Sequence, residues 1–309
     1  LEEKKMFSTK FGIEIEFTGI TRERAAEVAQ GILNGQKRYA GTYYGTWEVT
    51  QADGRVWKFM SDSSINCQVK RDGRLVSVGK DYSVELVSPI LTYDADIETL
   101  LDLVRALRKA GGFAGGSTGT GIHIHLGSEG HTVRSLKNFL NIMASKNDLI
   151  YKALDVPSQR MRFCQKIDKT LIEKIQKRNP KTMKELEDIW YDGFYDNRES
   201  HYNSSRYSAL NYHCLFHGNG SLELRFFNST LSDCRVIRAY ILLALCLNHQ
   251  ALTQRCASAK KSKSEENEKF TMRCFLIRIG LGGKEYAYTR KVLTEKLSGN
   301  SAWRFHTAA

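Results

Sequence analysis

Proline is scarce, three residues in 309, which leaves little material for a long proline-rich disordered linker. No run of about 18 or more apolar residues occurs, the length a membrane-spanning helix needs. The richest stretch, Val236 to Leu247, falls short of that and contains Arg238, so a helix crossing the core is expected there. The seven cysteines are odd in number and far apart, and no two form a Cys-x-x-Cys pair. That pattern argues against both a disulfide framework and a structural zinc site. Reduced thiols, with no secretory signal visible at the N-terminus, give a cytoplasmic location as the expectation. The first residue is leucine rather than methionine, so the natural start is expected to lie upstream. Internal repeats and low-complexity segments are absent from the sequence.

What is present is ordinary for a globular chain, with 41% hydrophobic and 26% charged residues. The length allows a substantial core, and one catalytic domain over 1–309 is expected, with a more charged helical insertion at about 155–205 and a helical segment at about 260–309. The net charge of +12 comes from basic residues scattered among acids. It reads as a basic surface, part of which serves anionic substrates; nucleic-acid binding is the competing explanation.

Periodicity predicts a strand over Lys10–Phe17 and a helix capped by Thr21, with Ala25, Val28, Ala29, Ile32 and Leu33 on one stripe ending at Gly35. Hairpins are predicted from Tyr43–Thr50 and Arg55–Ser61 around Asp53-Gly54, and from Ile65–Lys70 and Arg74–Val78 around Asp72-Gly73. Tyr82–Ser88 and Ile122–Leu126 read as strands, and Asp96–Ala110 as an amphipathic helix. Thr132 caps a helix bearing Val133, Leu136, Leu140 and Met143, and Thr182 with Glu185 forms a capping box. A hairpin is expected from Tyr207–Phe216 and Ser221–Phe227. Strands paired by hairpins and mixed with helices define an α+β protein with an antiparallel sheet.

Four of these strands carry charged or ligand-type residues two apart, with apolar residues between them. They are Glu14 and Glu16, Glu85 with Ser83, His123 and His125, and Glu223 and Arg225. Alternation puts each pair on one strand face and the apolar set on the other. A solvated face usually mixes Lys, Thr, Gln and Arg; these carry four glutamates and two histidines. Carboxylates gathered on one sheet repel one another unless a divalent cation neutralises them, and carboxylate oxygens with imidazole suit Mg²⁺ or Mn²⁺ better than zinc. Arg225 beside Glu223 adds a guanidinium suited to phosphate.

With those residues in view, the chain resembles the amidoligase family of the carboxylate–amine ligase superfamily, which includes glutamine synthetase and glutamate–cysteine ligase. The matching pieces run in order: Phe11–Glu16, Ser61–Ile65, Val84–Pro89, Gly121–Gly127, Arg206–Asn211, Leu222–Phe227 and Leu281–Gly299. The resemblance implies a curved antiparallel half-barrel like the glutamine synthetase catalytic domain, with helices packed outside. It implies that Glu14, His123 and Glu223 hold one metal near the ATP γ-phosphate, and that Glu16 and Glu85 hold a second nearer the acceptor. Arg225 would bind the transferred phosphoryl group and Arg206 the ATP phosphates, with His125 and Asn211 contacting nucleotide or substrate and Asp62 and Ser64 in the substrate pocket. The expected reaction is ATP-dependent amide formation through an acyl phosphate. Its partners are a carboxylate and an amine, with peptides and proteins among the candidate acceptors, and with no role for a membrane or nucleic acid.

Two other classes compete: a metal-dependent hydrolase using the same cluster, and a basic nucleic-acid-binding protein whose sheet is not catalytic. The glycine-rich loop Gly111–Gly121 lacks a Walker lysine and leads into a strand, so it is not a phosphate loop; connector and flap remain open for it. His201, His213 and His217 read as structural, Trp47 and Trp57 as core or wall, and no cysteine sits in a nucleophile motif.

Overall fold

The computed structural model describes residues 6–261 and 267–302. Along the chain run β1 (Phe11–Phe17), α1 (Arg22–Leu33), β2 (Gln36–Tyr39), β3 (Trp47–Thr50), β4 (Val56–Met60), β5 (Gln68–Arg71), β6 (Arg74–Ser77), β7 (Val84–Val87) and α2 (Tyr93–Lys109). There follow β8 (Gly121–Gly127), α3 (Val133–Leu154), α4 (Lys169–Arg178), α5 (Met183–Trp190), β9 (Leu210–Asn211), α6 (His213–His217), β10 (Ser221–Asn228), α7 (Cys234–Thr253), α8 (Glu268–Arg278) and α9 (Ala287–Val292). The fold is α+β. Its large open sheet, with antiparallel pairings, has the order β2-β3-β4-β7-β1-β8-β10-β9, and β5 and β6 form a separate hairpin.

The chain divides into two compact units. One comprises Phe7–His125 and Phe227–Arg238. Its core follows from strand alternation: Phe11, Ile13, Ile15 and Phe17 of β1 are buried, as are Val84 and Leu86 of β7 and Ile122 and Ile124 of β8. Helices α1 and α2 pack together, and α1 also covers β3 and β4. Thr21 caps α1 by accepting from the Arg24 amide at 3.2 Å. Its buried stripe is Ala25, Ala26, Ala29 and Leu33, while Ile32 is 38% exposed, so the predicted stripe is displaced toward the smaller residues. β3 starts at Trp47 rather than Tyr43, because Gly45 (φ +56°) and its bond to the Thr42 carbonyl fold the preceding residues into a turn.

The other unit is built from Leu126–Phe226 and the chain from Ala239 onward. Thr132 and Thr182 both form reciprocal capping boxes, on α3 and α5. The region 155–205 contains α4 and α5. The expected strand Tyr207–Phe216 is confined to Leu210–Asn211, because the Asn211 side chain accepts from the His213 amide at 2.8 Å and starts the helical turn α6. α7 runs over 20 residues, longer than expected and apolar enough by length and composition to cross a membrane. Ile237, Ala239, Ile241 and Leu243–Leu247 on it are all but completely buried, as in a core helix. None of the seven cysteines is in a disulfide. The charged run 260–269 and the helical segment to 309 fall partly outside the described residues.

Candidate active site

Six of the predicted residues converge in the first unit: Glu14, Glu16, Asp62, Glu85, His123 and His125. β1 and β7 pair antiparallel with Glu16 directly opposite Glu85, and Glu14 opposite Val87. Met60, at the end of β4, is the partner of Glu85 on its other side, and the chain then turns through Asp62. One potential ligand atom from each of Glu14, Glu85 and His123 lies within 4.8 Å of the others, and the same holds for Glu16, Asp62 and Glu85. Glu85 therefore belongs to both groups.

The Glu14 carboxylate is gripped by both imidazoles, at 2.8 Å from His123 Nδ1 and 3.1 Å from His125 Nε2. Burial pushes its carboxyl up. The charge of His125 and the hydrogen bonds from His123 and His125 outweigh that and hold it well below the usual carboxylate range. Glu14 is thus anionic at neutral pH, as a cation ligand must be. Glu16 accepts the Gly121 amide at 2.6 Å and lies 3.8 Å from His123 Nε2; its side chain is 7% exposed.

The last residue of the glycine-rich loop thereby orients a site carboxylate. The loop is also tied down. Asn66 bonds the Thr118 and Ser117 carbonyls, Ser117 Oγ donates to Gln68, and Phe113 and Thr18 exchange backbone bonds. This tethering fits a connector rather than a flap.

Asp62 is held by its main chain. Its amide donates to Ser83 Oγ at 3.0 Å, and Ser83 Oγ donates back to its carbonyl at 2.6 Å. Asp62 Oδ1 accepts the Ser64 amide at 2.6 Å, which fixes Ser64 as a turn residue beside Asp62. Ser83 is held in turn by Arg22, whose guanidinium donates to the carbonyls of Ser83, Lys80 and Gly45. Asp62 stands among the carboxylates, a placement the strand motifs did not give. The signal available was its position just past a strand that pairs with the Glu85 strand.

In the second unit Glu223 and Arg225 are buried and paired: Arg225 Nη1 donates to Glu223, and Arg225 Nε donates to the Phe163 carbonyl at 3.2 Å. Asn211 Nδ2 donates to Glu223 at 2.6 Å and Cys214 Sγ lies 3.2 Å from the same oxygen. Nothing in the sequence around Cys214 marks it beyond its place three residues after Asn211. Arg206 sits on a short turn, bonded to the His201 carbonyl at 3.0 Å and stacked near Tyr202 and Tyr207. His213 bonds the Tyr191 hydroxyl at 2.7 Å and His217 pairs with Glu187 at 2.9 Å, both structural contacts. Trp57 is core; Trp47 is half-buried beneath Lys37.

The donor chemistry fits a divalent cation. Two carboxylates with an imidazole, and three carboxylates together, are hard-ligand sets suited to Mg²⁺ or Mn²⁺.

Comparison with known proteins adds one match. A family model described as "Putative amidoligase enzyme" matches residues 8–248. No curated protein matches the chain. The matched region takes in every residue of the carboxylate–imidazole cluster and the Glu223–Arg225 strand, and it covers well over half of the sequence; the chain belongs to the amidoligase family.

Proposed function

We propose that this protein is an ATP- and Mg²⁺-dependent ligase that joins a carboxylate to an amine through an acyl phosphate. The family assignment points to a ligase. The observation that carries the finer reading is the pair of ligand groups sharing Glu85. In this reading Glu14, Glu85 and His123 hold one cation and Glu16, Asp62 and Glu85 another. The cations supply charge neutralisation for the triphosphate and for the oxygens of the transferred group.

The chain's own residues set up the rest. His123 and His125 keep Glu14 ionised, Gly121 orients Glu16, and Ser83 fixes Asp62. Glu223 and Arg225 are assigned their roles, a further carboxylate ligand and the phosphoryl contact, on the strand motif and their buried pairing. Arg206, His125 and Asn211 are assigned to nucleotide or substrate on the motif alone. The substrate carboxylate attacks the γ-phosphorus and ADP departs. The amine then attacks the acyl carbon, loses a proton to a nearby base, and inorganic phosphate leaves.

An ADP-release screen over acids and amines tests this, with Glu14→Gln as control. Release that requires both an acid and an amine, and that falls by orders of magnitude in the variant, is the expected result. Equal release by parent and variant contradicts the assignment of Glu14. Bond cleavage without ATP identifies a hydrolase instead.

A further inference from the structure

We propose that the basic pocket between α8 and α9 is a binding site for a small oligophosphate, of the pyrophosphate or triphosphate class.

Helical spacing gathers the basic residues. On α8, Lys269 and Arg273 stand four apart and share a face. On α9 and the turn that continues it, Arg290, Lys291, Thr294 and Glu295 fall three to five apart and form one stripe; the amide of Glu295 still bonds the Lys291 carbonyl at 2.9 Å. The two faces line one pocket of about 430 Å³. That lies within the roughly 300–1,000 Å³ of small-molecule sites. The wall carries four cations, Lys269, Arg273, Arg290 and Lys291, against one carboxylate, Glu295. None of these five side chains forms an ion pair among the described residues. Like charges four apart on a helix repel, so the Lys269–Arg273 pair leaves a repulsion that an anion removes.

Arg290 is the fixed point of the wall. Its Nη1 donates to the carbonyls of Leu281 and Gly283, at 2.6 and 2.7 Å, which engages that nitrogen and holds the half-buried guanidinium in place. Its Nε and Nη2 have no hydrogen-bond partner among the described residues, and neither is sealed from solvent. That edge of a guanidinium presents two parallel N–H groups, spaced for two oxygens of one anionic group. Arg273 is nearly unengaged: its one hydrogen bond is from Nη1 to the Ser301 carbonyl, at 3.4 Å.

These features select the ligand. Two guanidiniums and two ammoniums call for more than one anionic group. The donors come from two helices, and a tetrahedral phosphate can engage both sides at once where a planar carboxylate offers two oxygens. The wall has no aromatic residue on which a nucleobase could stack, so phosphate groups alone are the match. Lys269 to Ser301 lie beyond the residues 8–248 that match the family model, and none of them belongs to the carboxylate–imidazole cluster.

The test is calorimetric titration of sodium triphosphate into the full-length chain in EDTA, which denies the carboxylates the divalent cation they would need to hold a triphosphate. Glu14→Gln should bind as the parent does, so the outcome is independent of the ligase reading. Saturable binding of about one equivalent is expected. It should weaken by at least about 10-fold in the double variant Lys269→Gln with Arg273→Gln, and by at least about 3-fold in Lys291→Gln, side chains with no ion pair to lose. Citrate should bind at least about 10-fold more weakly than triphosphate. No saturable binding, undiminished binding in the double variant, citrate as effective as triphosphate, or single-stranded oligothymidylate bound more tightly through the same residues each overturns the proposal.

Discussion

Glu16 and Glu85 are cross-strand partners on β1 and β7, two carboxylates placed directly opposite each other in a sheet. Like charges in that position are destabilising, and Asp62 brings a third to the same place. On the proposed function, a bound cation would relieve that repulsion.

Replacing Glu85 by Gln should therefore raise the melting temperature of the cation-free protein. Relief of one such repulsion is worth about 1 kcal/mol, or about 2 °C for a chain of this size. The same variant should lose the further rise produced by Mg²⁺ with ATP. Thermal denaturation with and without the pair measures both effects. A lower apo melting temperature would show that the carboxylates are not in conflict.

Ser83→Ala removes the hydroxyl that both accepts from and donates to the Asp62 backbone. The loss should be about 1–2 kcal/mol of stability. Cation affinity should fall about 10-fold, as expected when a supporting contact rather than a ligand is removed. Manganese titration of the variant distinguishes this from a purely structural role, which would lower stability alone.

Arg22 ties three backbone carbonyls from two separate turns with one guanidinium, and its side chain is only 13% exposed. Arg22→Ala should destabilise by about 3 kcal/mol, because the carbonyls lose a charged donor. Arg22→Lys should recover little, since an ammonium cannot reproduce the fork. Chemical denaturation checks both. A lysine variant as stable as the parent would mean that charge alone matters there.

His131 is pushed below its ordinary value by burial, against the opposing effect of its bond to Asn248 at 2.9 Å. The unfolded chain therefore takes up this proton first as pH falls. The resulting stability is complete above about pH 6.5 and declines as the pH drops below it. His213 is lowered by burial in the same sense. The acid-side fall in melting temperature should be shallower in His131→Gln than in the parent. Identical slopes would remove His131 from the account.

The sequence made the faces of the site strands legible because alternation is a local property. Glu14 and Glu16, or His123 and His125, must share a face whatever the rest of the chain does. The α+β class followed from the same periodicities. Asp62 was harder to read, because its place among the carboxylates depends on the β4–β7 register and on a turn held by Ser83. Those are long-range facts with no local signature. Tyr207–Phe216 alternates like a strand, yet the Asn211 side chain diverts it into a helical turn after two paired residues.

The central claim is that the strand carboxylates and His123 form one cation-binding centre with Glu85 shared between its two ligand groups. Calorimetric titration of Mn²⁺ into the parent and into Glu85→Gln tests it most directly. More than one equivalent should bind to the parent, and binding of all of it should weaken by at least about 10-fold in the variant. Binding of equal affinity and stoichiometry in the two proteins would contradict the account.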